Sequence, residues 1–120
     1  MINEQTLLFI LNDAPYGSER SFNGLRLAIN LNEQEVKTKI YVFLMSDSVS
    51  CALPKQTPGE GYHVQQMLEI LLAQGAKVKL CKTCCNARGI SELPLIEGAE
   101  IGTLDDLSMW TLQADKVICF

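Results

Sequence analysis

Five short apolar runs, each closed by turn-forming residues and separated by stretches of helical period, constrain the fold of this chain more than any other feature. The first run is Thr6-Leu7-Leu8-Phe9-Ile10-Leu11 and the second Ile40-Tyr41-Val42-Phe43-Leu44-Met45. Neither alternates apolar with polar. A continuous apolar run of that length suits a central strand buried on both faces, as in parallel sheets. Ala76-Lys77-Val78-Lys79-Leu80 leads into Cys81, Ala99-Glu100-Ile101-Gly102 reads as a short fourth strand, and Lys116-Val117-Ile118-Cys119-Phe120 as a last one, with Cys119 expected in the core.

Between the runs the period changes to that of a helix. Ser18 is placed to cap a helix in which Phe22, Leu25, Ala28, Ile29 and Leu31 share one side. Val64, Met67, Leu68, Leu71 and Leu72 form the stripe of a second helix, closed by Gly75. A short helix ends at Gly89. Thr103 caps a fourth, with Leu104, Leu107 and Trp110 inward and Asp105 and Asp106 as favourable charges in its first turn. Residues 46–61 form a long polar segment with Pro54, Pro58, Gly59 and Gly61, a length often functional or mobile. Strand and helix therefore alternate throughout. The expected fold is α/β: a three-layer, flavodoxin-like sandwich around a central, mainly parallel five-stranded sheet. Its commonest strand order is 2-1-3-4-5. With 120 residues and no repeat, low-complexity tract or linker, residues 1–120 are expected to form one domain.

Composition excludes several functions. A formal charge of -4 and the lack of a Lys/Arg cluster give no footprint for nucleic acid. No stretch approaches the ~20 apolar residues of a membrane span. Met1-Ile2-Asn3-Glu4 has no basic region and no long apolar region after it, so a cytoplasmic address is expected. The thiol-reducing cytoplasm and an odd count of five cysteines argue against a disulfide framework. Neither GxGxxG nor GxxxxGK[ST] occurs, so no dinucleotide or nucleotide cofactor is expected.

The chemistry concentrates in Cys81-Lys82-Thr83-Cys84-Cys85. Ligands in open parallel sheets bind outside the carboxyl ends of the strands. Cys81 stands at such an end and at the start of a short helix, whose amide N–H groups favour a thiolate. Lys79, Lys82 and Arg88 add positive charge nearby. The blander reading is a small buried apolar residue. Cys81-x-x-Cys84 has redox spacing, but it could equally be half of a metal site. A structural zinc site wants four ligands, and only Cys51, Cys119 and His63 remain to complete one, so no metal is expected within one chain. His63, at the start of the second helix, could serve as acid, base or ligand. Asn12, Asp13 and Tyr16 could orient a ligand from the first loop, although turn chemistry explains Asn and Asp as well. Gly17-Ser18 could hold an anion.

The segment from Cys81 to Ala87-Arg88-Gly89, the opening loop Asn12-Asp13-Ala14-Pro15-Tyr16-Gly17-Ser18, the Leu104-x-x-Leu107 helix and the Asp115-Lys116-Val117 strand resemble the DsrE/DsrF-like sulfur-relay family, including its YchN-like branch. The resemblance spans essentially the whole chain. It implies a flavodoxin-like fold and assembly into trimers or hexamers. It also implies a cysteine at the end of the third strand that carries a persulfide between partners. Cys81 matches that cysteine, and Cys84 the second cysteine of branches with CxxC. On this reading Cys81 and Cys84 are the catalytic pair, with Arg88, Asn12, Tyr16 and His63 binding substrate. Donor and acceptor are other proteins or a small sulfur compound. Cys85 departs from the relay subunits as an extra thiol. Two other readings stand beside this one: a non-catalytic oligomeric binding or redox-sensing module, and a metal shared between subunits through Cys81 and Cys84.

Overall fold

The two strands that carry the longest apolar runs lie at the middle of the sheet. β1 (Gln5–Leu11) pairs in parallel with β2 (Thr38–Leu44) along its full length, Gln5 opposite Thr38 and Leu11 opposite Leu44. Leu8, Phe9, Leu11, Val42, Phe43 and Leu44 are fully buried, which explains why these runs do not alternate. β3 (Lys77–Cys81) pairs with β2 and β4 (Ala99–Gly102) with β3. β5 (Lys116–Cys119) pairs with the far side of β1. All four pairings are parallel, and the order is β4-β3-β2-β1-β5. The structure, a computed structural model, describes residues 4–120; Met1, Ile2 and Asn3 of the expected domain lie outside them.

This order corrects the flavodoxin-like 2-1-3-4-5. Three successive crossovers run in one direction and only the last turns back across the sheet. With right-handed crossovers, that reversal puts the last helix on the opposite face from the earlier ones. α1 (Arg20–Asn32) and α2 (Val64–Ala73) share one face. Gly24 of α1 sits so close to β1 that an added Cβ would lie 2.7 Å from Leu11 Cδ2 and 3.1 Å from the Phe120 ring. α4 (Leu104–Gln113) covers the other face. There Trp110 packs edge-on against Tyr41 and Phe43, with ring centroids 4.8 and 6.0 Å apart, and Lys79 lies over its indole at 5.3 Å. The three layers of an α/β sandwich are therefore present. α3 (Lys82–Ala87) is a short helix at the exit of β3.

Several local expectations change. Glu19, not Ser18, is the residue before α1, and it makes no side-chain cap; Ser18 Oγ accepts the Arg20 N–H at 3.4 Å and donates to Asp13 Oδ2 at 2.8 Å. The buried side of α1 is Ser21, Gly24, Leu25 and Ala28, with Phe22 and Ile29 only partly covered. Residues 46–52 of the long segment form a 3-10 helix, Ser46–Ala52, with Val49 and Cys51 fully buried. Thr103 does cap α4, but Leu104 is 69% exposed rather than inward. Cys119 is exposed rather than in the core. It pairs with Ile10 on the face that α4 only partly covers, whereas Phe120 turns the other way and stacks with Phe9.

Candidate functional site

The carboxyl ends of β2 and β3 are adjacent, so the segments that leave them meet. β3 ends at Cys81, and the chain turns at once into α3. Cys81 is the residue before that helix, and its sulfur accepts the Cys84 N–H at 3.4 Å. The Thr83 N–H is also directed at it. One turn of helix brings Cys84 over Cys81, since residues three apart share a helix face. From β2 the chain enters its 3-10 helix at Ser46, whose φ of 53° is in the left-handed region. In this conformation the Ser46 N–H donates to Cys84 Sγ at 3.2 Å. The neighbouring Asp47 accepts from Arg88 Nε at 2.9 Å, and Arg88 Nη1 donates to the Cys84 carbonyl at 3.1 Å. Ser48 is buried, and its hydroxyl donates to the Leu11 and Met45 carbonyls, which fixes this turn against the ends of β1 and β2.

The five thiols are unequal. Cys51 is fully buried, and its pKa is pushed up to about 12 by that burial. Cys85, fully buried on the inner side of α3, is also raised by burial, with the Arg88 charge a smaller opposing effect. Cys81 is 9% exposed. Its pKa is raised first by desolvation and then by the neighbouring Cys84 thiol, and these outweigh the two amide donors. The lowered pKa expected from the helix start is therefore not found. Cys84 is half-buried and stands on the outside of the pair. Among the described residues, no group of three or more His, Cys, Asp or Glu side chains is arranged to hold a metal ion.

Of the other candidates, only Arg88 joins the cysteines. Asn12 lies at the opposite side of β1, donating to the Phe120 carbonyl at 3.4 Å beside Arg20 and Cys119. The Tyr16 hydroxyl donates to Gln56 Oε1 at 2.6 Å and accepts from the Val64 N–H at 3.2 Å, tying the first loop to the start of α2. Tyr16 also lines a cavity of about 830 Å³ with Pro15, Pro58 and Tyr62. His63 caps α2, its Nδ1 accepting from the Gln66 N–H at 3.3 Å. Ser46 and Asp47 were not singled out in the sequence. Their only signal is position, as polar residues directly after a buried strand, and it becomes informative once β2 is known to neighbour β3.

A parallel five-stranded sheet of this kind is an arrangement shared with known proteins. The chain belongs to the DsrE/DsrF-like family, whose model matches residues 5–120. It is 61% identical over 116 residues to protein YchN of Escherichia coli strain K12, covering 97% of this chain and 99% of that protein. It is 40% identical over 113 residues to the uncharacterized protein MK0008 of Methanopyrus kandleri, covering 92% of this chain and 90% of that protein. The crystal structure of E. coli YchN matches with a TM-score of 0.92 over 97% of this chain and 99% of that chain. MTH1491 of Methanobacterium thermoautotrophicum, a protein of unknown function, covers 98% of this chain and 100% of its own, with a TM-score of 0.76 at 16% identity, a likeness of fold alone.

Proposed function

We propose that this protein is a sulfur carrier that holds a sulfane sulfur as a persulfide on Cys81. The observation that carries the reading is the meeting of the Cys81 and Cys84 sulfurs at the carboxyl ends of β2 and β3, each with a backbone N–H directed at it. Membership of a family that resembles sulfur-relay proteins agrees with it. In loading, the Cys81 thiolate attacks the outer sulfur of a donor persulfide. The donor's sulfur–sulfur bond breaks, its inner sulfur leaves as a thiolate, and Cys81 gains one sulfur. Arg88, anchored by Asp47, supplies positive charge beside the anionic product. Donor and acceptor are proteins or small sulfane-sulfur compounds. A raised Cys81 pKa makes the thiolate a minority species at neutral pH, so loading accelerates as pH rises through the thiol range.

The chain is further proposed to work as a homo-oligomer, with a second copy covering α4 and β5. Leu112 is 82% and Met109 54% exposed on the outer side of α4, and Val117 is 42% exposed on the face of the sheet that α4 covers only in part.

Intact-mass measurement after incubation with a sulfane-sulfur donor tests the central claim. The expected result is a gain of one sulfur on the wild type, reversed by reductant and absent from Cys81→Ser. The near-complete burial of Cys81 favours a second reading, a non-catalytic binding or redox-sensing module. Slow alkylation of Cys81 and Cys84, with no sulfur gained from any donor, would select that reading instead.

A further inference from the structure

Cys84 has no task in holding a persulfide on Cys81, yet the fold directs a backbone N–H at its sulfur as well. It is the outer member of the pair, it accepts the Ser46 N–H at 3.2 Å, and its own N–H donates to Cys81 Sγ at 3.4 Å. The amide that serves it is presented by a serine held at φ 53°, a conformation that costs a non-glycine residue free energy. Cys85 cannot substitute for it, because adjacent residues on a helix do not face the same way and Cys85 is fully buried.

We infer that Cys84 discharges the Cys81 persulfide as hydrosulfide, making the protein a sulfide-releasing carrier that switches itself off by forming a Cys81–Cys84 disulfide. The inference rests on the sulfur-carrier reading. The step needs no outside oxidant. The Cys84 thiolate attacks Cys81 Sγ, the inner sulfur of the persulfide. The bond from Cys81 Sγ to the outer sulfur breaks, and that sulfur departs with the electron pair as hydrosulfide. The proton released by Cys84 is available to it. The two cysteine sulfurs end at the disulfide level, and the sulfane sulfur has taken up the two electrons they gave. Side chains three apart on a helix lie about 5–6 Å apart at Cβ, and a disulfide brings Cβ atoms to about 3.5–4.5 Å, so closure draws Cys81 and Cys84 together by about 1–2 Å at the first turn of α3. The Ser46 N–H stabilises the attacking thiolate. The oxidised chain has no Cys81 thiol and accepts no further sulfur until a cellular dithiol reduces it. A carrier without Cys84 would hold its sulfur until an acceptor took it; this one holds it for a limited time.

The test uses the full chain, reduced, loaded with inorganic polysulfide and desalted away from donor and reductant. Intact mass and free sulfide are then followed together for wild type and Cys84→Ser. The substituted side chain is half-exposed, so the fold should survive. The wild type is expected to lose its added sulfur, release one sulfide for each sulfur lost, and finish two hydrogens lighter than the reduced chain. Peptide mapping is expected to join Cys81 to Cys84. Cys84→Ser is expected to load and to keep its sulfur at least tenfold longer. Equal persulfide lifetimes in the two proteins would overturn the discharge step and leave the carrier standing. So would sulfide release without the Cys81–Cys84 bond. No sulfur gain on either protein would overturn both readings.

Discussion

Cys51 shows how one buried side chain sets a pH dependence for the whole protein. Its thiol has a pKa of about 12 in the folded chain, against 9.0 for a free side chain, because burial disfavours the thiolate. Between those values the unfolded chain loses a proton that the folded chain keeps. Stability contributed by the neutral thiol is therefore complete below about pH 9 and is lost as pH rises toward 12. The full difference corresponds to roughly 4 kcal/mol, of which on the order of 1 kcal/mol is gone by pH 10. Urea unfolding at about pH 7 and about pH 10 checks this. Cys51→Ala is expected to cost a little at neutral pH and to remove on the order of 1 kcal/mol of the alkaline loss. An unchanged slope in the variant would mean that other groups produce it. The Asp47–Arg88 pair belongs to a different regime. Both side chains are well exposed, so the pair is worth under about 1 kcal/mol to stability. Its consequence is positional, because it fixes where the guanidinium stands relative to Cys84. Neither partner could be matched from the sequence, where they lie 41 residues apart.

At the scale of elements, α4 shows what a sequence discloses and what it withholds. Its start at Thr103 was readable because the cap and the acidic residues behind it are local chemistry. The Thr103 hydroxyl accepts the Asp106 N–H, and the Asp106 carboxylate accepts the Thr103 N–H in return. That backbone hydrogen bond, assisted by Lys79, holds the Asp106 pKa below its ordinary value, so this contribution persists at neutral pH and fades in acid. Thr103→Ala is expected to cost about 1 kcal/mol, seen as a fall of a few degrees in Tm. A Tm equal to that of the wild type would show that packing of Trp110 alone fixes the helix. The position of β3, and hence of Cys81 at its exit, was legible for the same local reason. The strand order was not. Apolar runs mark strands, but which strand lies beside which depends on crossovers whose direction leaves no periodic trace. The roles of Ser46 and Asp47 were hidden with it, since both exist only because β2 and β3 are neighbours. The exposure of Leu104 and Cys119 has a related cause. Helical spacing groups Leu104 with Leu107, and β-propensity marks Cys119 as strand, but neither reveals how far the covering layer extends.

At the scale of the whole molecule, the sheet is covered unequally. α1 and α2 lie side by side on one face, while α4 alone attends the other. The strand order is the reason: a single return crossover leaves one helix for five strands, and that helix anchors over β2 and β3 through Trp110 and Lys79. β5 and the outer side of α4 are left with Met109, Leu112, Val117 and Cys119 toward solvent. Apolar side chains exposed singly need no explanation; in the proposed oligomer these residues, contributed by adjoining elements, form the association surface. A second copy of the chain would bury them. Met109→Asp with Leu112→Asp places two charges in that contact while leaving the buried face of α4, Leu107 and Trp110, untouched. Sedimentation is expected to show the wild type as an oligomer and the double variant as a monomer with unchanged circular dichroism. Cysteine chemistry separates the two halves of the proposal. If the monomer still loads sulfur at the wild-type rate, assembly serves stability or partner choice and the site is complete within one chain. If loading falls with assembly, the neighbouring copy shapes access to Cys81. An oligomer that survives both charges would place the contact elsewhere on the surface.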